Sequence, residues 1–362
     1  MGKHILFFHL LSLSLLLAAA GTKVVDSTSH HHHHHHHHHH LHTQNQIHGF
    51  SKLFVFGDSY ADTGNNAKTF ASWHEPYGIT FPGKPSGRWS DGRVLTDYVA
   101  SFLGIKSPVP YRWMKYGPKL VPFGINFAYG GSGVSQTLFP VPNMTVQINS
   151  FQQLIQKGLY TKKDLYSSVA LVSLVGNDYA AYLTRNGTAE GLPAFIATVV
   201  NQLALNLKRI NVMGVKTIVV TGLQPLGCLP QRTVFTSFQQ CNETDNAGVI
   251  FHNQLLQQVV DKFNNESKDS SFLILDLYRS FKTILNQTAL PGNMKFDDLL
   301  KPCCMGVNSS FSCGSKDENG VKMYTVCKNP KTAFFWDMFH PTQEGWKAVR
   351  LLLESYLFPP KS

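Results

Sequence analysis

Short apolar runs alternate along this chain with longer segments in which apolar side chains recur at helical spacing. Four runs have the length and composition of strands, at 52–56, 168–175, 217–221 and 272–277. A fifth, short strand within 124–134 runs into a glycine-rich turn. The helical spacing predicts helices at 94–103, 144–156, 192–211, 246–264 and 342–356. Strands and helices that alternate in this way are typical of an α/β fold with a parallel sheet and helices on both faces.

The organisation between these elements predicts one domain. No linker or internal repeat divides residues 50–360, and hydrophobic residues make up 43% of the chain, enough for a large core. Residues 71–93 hold too many Gly and Pro for a regular element, which indicates a long surface loop able to line a cleft. Residues 301–330 are rich in cysteine and predict a disulfide-bonded loop before the last helix.

The first 21 residues have the three parts of a secretory signal: a charged start at Lys3, an apolar run at 5–17 and small residues at 18–21. The run is too short for a membrane span, and no later run of about 18 apolar residues follows. We therefore expect a secreted, extracellular protein without a transmembrane anchor in its mature form. We expect residues 22–49 to be a flexible tail. It contains eleven consecutive histidines, either an inserted tag or a native tract, and such a run binds transition metals without implying catalysis.

Glycosylation motifs agree with export. Six acceptor sequons for N-glycosylation are present, at Asn143, Asn186, Asn242, Asn265, Asn286 and Asn308.

The formal net charge of +10 is spread along the chain without a block of basic residues. This distribution favours loose attraction to acidic surfaces and argues against a nucleic-acid site.

The cysteines are even in number: Cys228, Cys241, Cys303, Cys304, Cys313 and Cys327. In an oxidising compartment this favours three disulfides over a metal site, although fifteen pairings are possible. Cys228 with Cys241 is the preferred first pair, because the other four cysteines lie within 25 residues. The adjacent Cys303 and Cys304 then bond to the last two cysteines in some order.

Ser59 stands at the predicted carboxyl end of the first strand. Residues 54–56 form the end of a buried strand, Gly57 allows a sharp turn, and Ser59 then leaves the sheet. Open α/β sheets place their chemistry at the carboxyl ends of strands, so this serine is a candidate nucleophile. The alternative is that Asp58 and Ser59 only cap the next helix. Asp58 is also expected to shape the turn through hydrogen bonds to nearby backbone N–H groups.

Asp337 and His340 stand three residues apart in a turn closed by Pro341, just before the last predicted helix. This spacing allows both side chains to lie on one side of the loop. A serine nucleophile needs an adjacent base, and the imidazole needs a carboxylate that fixes its tautomer and stabilises its cation. In a parallel sheet this loop can fold over the edge that carries Ser59, although His340 taken alone is better explained by a structural role.

Two residues are candidate donors to the oxyanion that develops during acyl transfer. Gly131, in the glycine-rich turn after the second strand, offers a backbone N–H, and Asn177 after the third strand offers a side-chain amide. Each has an ordinary alternative, because Gly-Gly turns serve tight geometry and Asn is a common turn residue. Their positions at the ends of successive strands, together with Ser59 and the final loop, favour the catalytic interpretation.

Other chemistries lack their motifs. The glycine turn at 130–133 has neither G-x-G-x-x-G nor the P-loop lysine, so a nucleotide site is not predicted. Histidines outside the run at 30–40 have no metal-ligand spacing, which argues against a metallohydrolase. The absence of a G-x-S-x-G elbow argues against the ordinary α/β-hydrolase arrangement.

Four blocks resemble, in order, the signature blocks of the GDSL esterase/lipase family within the SGNH hydrolases: residues 56–59, 126–131, 176–178 and 337–341. Further segments resemble the plant secreted branch of that family, at 62–66, 87–93, 226–230 and 303–304. The resemblance runs from about residue 52 to about residue 350. The family motif ends in Leu where this chain has Tyr60, a difference expected to leave the chemistry in place and to affect only the pocket.

The apolar runs predict a five-stranded parallel sheet, and the resemblance implies a three-layer α/β/α flavodoxin-like domain with no metal and no organic cofactor. It implies Ser59 as the nucleophile, His340 as general base and acid, and Asp337 as the orienting partner of His340. It also implies an oxyanion hole made by the Ser59 N–H, the Gly131 N–H and the Asn177 side chain.

Together these features predict a secreted serine esterase or lipase that hydrolyses carboxylic esters through an acyl-enzyme. The expected substrate is a small-molecule or lipid ester, or an acetylated polysaccharide, and the plant resemblance places the protein in the apoplast or cell wall. One alternative is an acyltransferase that uses the same acyl-enzyme. The other is a catalytically vestigial glycoprotein that binds the wall through its charge and its aromatic-rich loop.

Overall fold

A six-stranded sheet forms the centre of the structure, a computed structural model that describes residues 49–174, 176–287 and 294–357. The strands are β1 Lys52–Gly57, β2 Val109–Pro110, β3 Ile125–Asn126, β4 Ser168–Ser173, β5 Thr217–Thr221 and β6 Ser271–Leu275. Their order is β2-β3-β1-β4-β5-β6, and every neighbouring pair is parallel. The predicted parallel sheet is confirmed.

The predicted count of five strands is wrong by one. The additional strand, β2, pairs through Val109 and Pro110 with β3 at the edge of the sheet. A two-residue strand that contains Pro lacks the apolar run that signals a strand, and the edge is where a sheet tolerates Pro. β3 is short and the chain turns into the glycine-rich loop after Asn126, as predicted for residues 124–134.

The five predicted helices are confirmed with small shifts of their ends. The described residues form α1 Leu95–Phe102, α2 Met144–Gln156, α3 Lys162–Tyr166, α4 Asn177–Thr184, α5 Leu192–Val212, α6 Pro230–Thr233, α7 Glu243–Glu266, α8 Leu277–Leu285 and α9 Gln343–Leu357. The short helices α3, α4, α6 and α8 were not predicted. At α8, the Asp276 side chain accepts the Arg279 N–H at 2.9 Å and caps the helix, so the strand predicted through residue 277 ends earlier.

Helices cover both faces of the sheet. Phe54 and Phe56 of β1 pack in one core with α2, α5 and α7, whereas Leu53 and Val55 pack in a second core with α1, α8 and α9. Alternate strand residues point to opposite faces, so the sheet lies between two helical layers, as the three-layer prediction requires. With the edge strand β2 set aside, the strand order corresponds to the flavodoxin-like 2-1-3-4-5 order. The carboxyl end of β1 lies at the switch point of that order, where such folds bind ligands.

The predicted surface loop at 71–93 is only partly at the surface. Its regular structure is one turn of 3₁₀ helix, Ala71–Trp73. Tyr77 and Ser90 are buried, and the Ser90 hydroxyl donates to the Pro341 carbonyl at 3.0 Å. The surface prediction is wrong for these residues, because the loop packs against the C-terminal loop before α9.

The cysteine predictions are confirmed. The disulfides are Cys228–Cys241, Cys303–Cys327 and Cys304–Cys313. The last two hold a small antiparallel ribbon made by β7 Cys304–Gly306 and β8 Tyr324–Val326.

The predicted secretory signal and the histidine run lie outside the described residues. Within the described ranges, none of the helices has the length and apolar character needed to cross a membrane.

Candidate active site

Ser59, His340 and Asp337 form one hydrogen-bonded chain. Ser59 Oγ lies 2.8 Å from His340 Nε2. His340 Nδ1 lies 2.7 Å from Asp337 Oδ1 and 2.8 Å from Oδ2. All three residues are buried. The fold therefore brings the predicted nucleophile, base and carboxylate together from opposite ends of the domain, in the relative positions that acyl transfer requires.

The turn after β1 presents Ser59 to His340. Gly57 has a φ of 145°, and a Cβ at this position would overlap the Ser173 carbonyl on β4, so the turn requires glycine. The Tyr60 N–H donates to Asp58 Oδ1 at 3.2 Å, which agrees with the turn-shaping role predicted for Asp58. The helix-cap interpretation is wrong, because Ser59 leads into a turn and the next α-helix along the chain is α1.

Backbone hydrogen bonds shape the loop that carries Asp337 and His340. Asp337 Oδ1 accepts the backbone N–H groups of Phe339 and His340, each at 2.9 Å. The Trp336 N–H donates to the His340 carbonyl at 2.7 Å and closes the turn. These bonds hold the carboxylate and the imidazole on the same side of the loop, as their spacing predicts.

Aromatic rings enclose the His340 imidazole. The Trp89 ring stacks on it with 5.3 Å between centroids, and the Tyr60 ring approaches edge-on at 5.9 Å. The Tyr60 hydroxyl donates to the Phe339 carbonyl at 2.8 Å. Burial raises the pKa of Asp337, but the neighbouring His340 and the hydrogen bonds outweigh burial and hold that pKa below its usual range. The carboxylate therefore stays charged beside the imidazole.

The predicted oxyanion residues lie at the same edge of the sheet but differ in whether their donor groups already have hydrogen-bond acceptors. Gly131 has a φ of 90°, and within the described residues neither its N–H nor that of Ser59 donates a hydrogen bond. The Asn177 amide donates to the Ser132 carbonyl at 2.8 Å and to Asp58 Oδ2 at 3.1 Å. Asn177 thus ties the glycine-rich loop to the turn that carries Ser59.

Gln147 of α2 holds the end of β1 and was missed in the sequence. Its Oε1 accepts the Gly57 N–H at 2.8 Å, and its Nε2 donates to the Gly57 carbonyl at 2.9 Å. The same Nε2 lies 3.0 Å from Ser132 Oγ. Gln147 is buried between Met144 and Ile148, so a polar residue on the apolar face of a predicted helix was the available signal.

Asp62 joins the loop after Ser59 to the glycine-rich turn. Its Oδ1 accepts the N–H groups of Gly64 and Asn65 at 2.7 Å each, and its Oδ2 accepts the Gly130 N–H at 3.0 Å. Burial raises the pKa of Asp62 to about 6, although these hydrogen bonds act in the opposite direction. The sequence shows Asp62 inside a family block, but it does not show the distant Gly130 as a partner.

A cluster of three potential metal-ligand side chains lies at Cys228, Cys241 and Glu243. The two sulfurs form a disulfide, so they are not available as thiolate ligands. This supports the prediction that these cysteines serve structure and not metal binding.

Comparisons with known proteins agree with the sequence blocks. Residues 53–352 match the family model described as GDSL-like Lipase/Acylhydrolase. A GDSL esterase/lipase of Arabidopsis thaliana is 59% identical over 311 residues, which cover 85% of this chain and 87% of that protein. Acetylajmalan esterase 2 of Rauvolfia serpentina is 28% identical, and the match covers 86% of this chain and 90% of that protein. Among solved structures, a catalytic mutant of an acetylxylan esterase from Geobacillus stearothermophilus has a TM-score of 0.42 and 15% identity, over 86% of this chain and 96% of that one.

Proposed function

This chain belongs to the GDSL-like lipase/acylhydrolase family and is a carboxylic ester hydrolase, and we propose that it works through an acyl-enzyme formed on Ser59. The observation that carries the proposal is the contact of 2.8 Å between Ser59 Oγ and His340 Nε2, with Asp337 at 2.7 Å from Nδ1. A serine in this position transfers its proton to the imidazole as it attacks, and the carboxylate stabilises the imidazolium that forms.

The proposed reaction has two halves. Ser59 Oγ attacks the ester carbonyl carbon while its proton moves to His340 Nε2. The tetrahedral intermediate then collapses, and the alcohol leaves with the proton from His340. In the second half, His340 takes a proton from water as the water attacks the acyl-enzyme, and it returns that proton to Ser59 Oγ as the carboxylic acid leaves.

The oxyanion of each tetrahedral intermediate needs donors. The N–H groups of Ser59 and Gly131 have no acceptor among the described residues, which supports this role for both. For Asn177 to act as the third donor, its amide must exchange its contact with Ser132 or Asp58 for the substrate oxygen. The longer contact, 3.1 Å to Asp58, is the weaker of the two and is the one we propose to be exchanged.

The aromatic surroundings favour an ester with an apolar part. The Phe139 ring would lie 2.7 Å from a Cβ added to Gly131, and Phe339 lies beside His340 with 6.0 Å between the ring centroids. Both side chains are more than 40% exposed: Phe139 44% and Phe339 45%. Exposed apolar surface next to Gly131 and next to His340 supports a small-molecule or lipid ester as substrate over a strongly polar polysaccharide.

The central experiment is the Ser59→Ala substitution. We expect kcat/KM for a soluble p-nitrophenyl ester to fall by about three to six orders of magnitude, because the nucleophile is lost. The matched control is Ser101→Ala on the exposed side of α1, which should keep wild-type turnover. Equal, measurable turnover by the Ser59→Ala and wild-type enzymes would overturn the proposal, because catalysis would then not depend on Ser59. Absence of turnover in the wild type would favour a vestigial binding protein.

A substrate series tests the second part of the proposal. Esters of increasing acyl length are compared with an acetylated polysaccharide, and the products are analysed in the presence of an acceptor alcohol. A preference for longer acyl chains supports a lipid-like substrate, whereas acetate release from the polysaccharide alone contradicts it. A transesterified product would identify acyl transfer in place of hydrolysis.

Secretion and glycosylation are also part of the proposal. Three disulfides support an oxidising compartment, and five of the sequon asparagines are exposed: Asn186, Asn242, Asn265, Asn286 and Asn308. The sixth, Asn143, is half-buried and caps α2 by accepting the Val146 N–H at 3.1 Å. Expression of the full chain in a plant cell should give a shortened, glycosidase-sensitive protein outside the cell, and an unprocessed intracellular product would contradict the proposal.

A further inference from the structure

Tyr77 reaches the triad from the loop at 71–93. Its hydroxyl donates to Asp337 Oδ2 at 2.7 Å, and the side chain is buried. Its ring lies edge-on between Trp89 and Trp336, with centroid distances of 5.9 Å and 6.0 Å. These rings leave the phenol little freedom to turn away from the carboxylate.

The two oxygens of Asp337 have different partners. Oδ1 accepts the backbone N–H groups of Phe339 and His340, which belong to the same loop. Oδ2 accepts the hydroxyl of Tyr77, which comes from 260 residues earlier in the chain. Both oxygens lie within hydrogen-bond distance of His340 Nδ1. Tyr77 therefore fixes the end of the carboxylate that the backbone leaves free.

We propose that Tyr77 is a positioning residue of this active site. It acts through Asp337 to orient the His340 imidazole and to set how strongly the Asp337 carboxylate stabilises the imidazolium. The inference rests on the proposed function, since it assumes that His340 takes the proton of Ser59. A hydrogen bond to a carboxylate withdraws part of its negative charge, so the imidazolium beside it is stabilised less.

The protonation states of the pair suit this role. Burial, followed by the charge of Asp337, raises the pKa of Tyr77 well above its usual value. The pKa of Asp337 lies below its usual range, because His340 and the hydrogen bonds outweigh the effect of burial. Tyr77 is therefore a neutral donor, and Asp337 a charged acceptor, throughout the pH range in which an esterase of this kind is assayed.

Two segments that pack against His340, the turn after β1 and the loop at 71–93, carry further titratable groups. From the turn after β1 come Tyr60, which contacts the imidazole ring, and Asp58, which accepts the Tyr60 N–H. From the loop at 71–93 comes Asp91, whose Oδ1 accepts the backbone N–H at the start of α9 at 2.7 Å. Burial raises the pKa of both Tyr60 and Asp91. Among the described residues, the carboxylate that hydrogen-bonds the imidazole is that of Asp337.

The test is the pH dependence of kcat/KM for the Tyr77→Phe variant with a p-nitrophenyl ester. Without the phenol, Asp337 carries more negative charge and favours the imidazolium, so the acidic limb should move to higher pH by about 0.5 to 1 unit. The kcat on the plateau should fall by up to about tenfold, with little change in KM, because Tyr77 does not contact the proposed site of ester attack.

The matched control is Tyr98→Phe. Tyr98 is also a buried tyrosine, and its hydroxyl donates to the Gln343 carbonyl at 2.8 Å, next to the same loop but away from Asp337. This variant should lose stability as Tyr77→Phe does and keep the wild-type acidic limb. Because the position of the limb does not depend on how much of the enzyme is folded, partial misfolding of Tyr77→Phe does not hide the result.

The possible results separate this inference from the proposed function. A shifted limb in Tyr77→Phe with an unshifted limb in Tyr98→Phe supports the positioning role. Coincident limbs for wild type and Tyr77→Phe, with Ser59→Ala inactive, overturn the role of Tyr77 and leave the proposed function standing. Full activity of Ser59→Ala overturns both.

Discussion

Replacing Gln147 by Met tests how far the site depends on a residue that contacts the backbone of Gly57 and not Ser59, His340 or Asp337. Met has similar length and no amide, so the change removes hydrogen bonds while it preserves most of the packing. The Gly57 N–H loses an acceptor at 2.8 Å, and the Gly57 carbonyl loses a donor at 2.9 Å. The Gly57 carbonyl still accepts the Tyr129 N–H at 3.0 Å, so the N–H is the group left without its partner.

The magnitude follows from these contacts. A buried donor left without an acceptor costs about 1 to 3 kcal/mol, and the bonds lost by Nε2 add about 1 kcal/mol more. We therefore expect the unfolding free energy to fall by about 2 to 4 kcal/mol, which is about 30-fold to 1,000-fold in the folding equilibrium. Because Ser59 follows Gly57 by two residues, the loosened turn should also lower kcat by about 10- to 100-fold.

Two measurements check this prediction. Urea denaturation should show a lower midpoint with an unchanged m value, and steady-state kinetics with a soluble ester should show a lower kcat. The control is Gln153→Met, the same chemical change on the exposed side of α2, which should leave both quantities near wild type. Wild-type stability and kcat in Gln147→Met would refute the claim that this amide holds the turn.

Two further predictions concern buried carboxylates. Because burial raises the pKa of Asp62 to about 6, the folded protein holds a proton that the unfolded chain has lost, so Asp62 lowers the unfolding free energy by about 3 kcal/mol as pH rises from about 4 to about 6. The unfolding free energy, measured by denaturation at several pH values in this range, should change less with pH in Asp62→Asn than in wild type, and an equal slope would contradict the assignment. Arg88 binds both oxygens of the buried Asp97 at 2.8 Å, so Arg88→Met should cost about 3 to 5 kcal/mol of stability. The double variant Arg88→Met with Asp97→Leu should recover part of that loss, because it removes the unpaired charge but also the acceptor of the Val94 N–H and the Ser107 hydroxyl; no recovery would show that the unpaired charge is not the main cause.

The fold could be predicted wherever the pattern of apolar residues is strong. β4 is buried on both faces, β5 is buried on one face and half-buried on the other, and both show as apolar runs. The bounds predicted for α2 match the structure to the residue. β2 was missed because two residues at a sheet edge bury too little apolar surface to leave a pattern. The short helix α8 was missed because its start depends on a side-chain cap by Asp276, which follows the strand directly.

The candidate site could be predicted in part because its residues stand at the carboxyl ends of strands. Ser59, Gly131 and Asn177 follow β1, β3 and β4, and a parallel sheet brings such positions to one edge. Tyr77 and Gln147 could not be predicted in this way. Tyr77 comes from a loop without periodicity, and Gln147 comes from the middle of a helix, so only the folded chain shows what they contact.

The aspartates around the site show why closeness to Ser59 in the sequence does not identify the partner of His340. Asp58, Asp62 and Asp178 are all buried near the edge of the sheet that carries Ser59, and each accepts one or more backbone N–H groups of the irregular loops there. Buried loop backbone must find partners, and outside a helix or sheet these come from side chains such as carboxylates. Their abundance near Ser59 thus follows from the need to hold the loops, and proximity in sequence does not identify a catalytic partner. Asp337 differs because its carboxylate, beyond its own backbone bonds, contacts a ring nitrogen that in turn faces a serine hydroxyl.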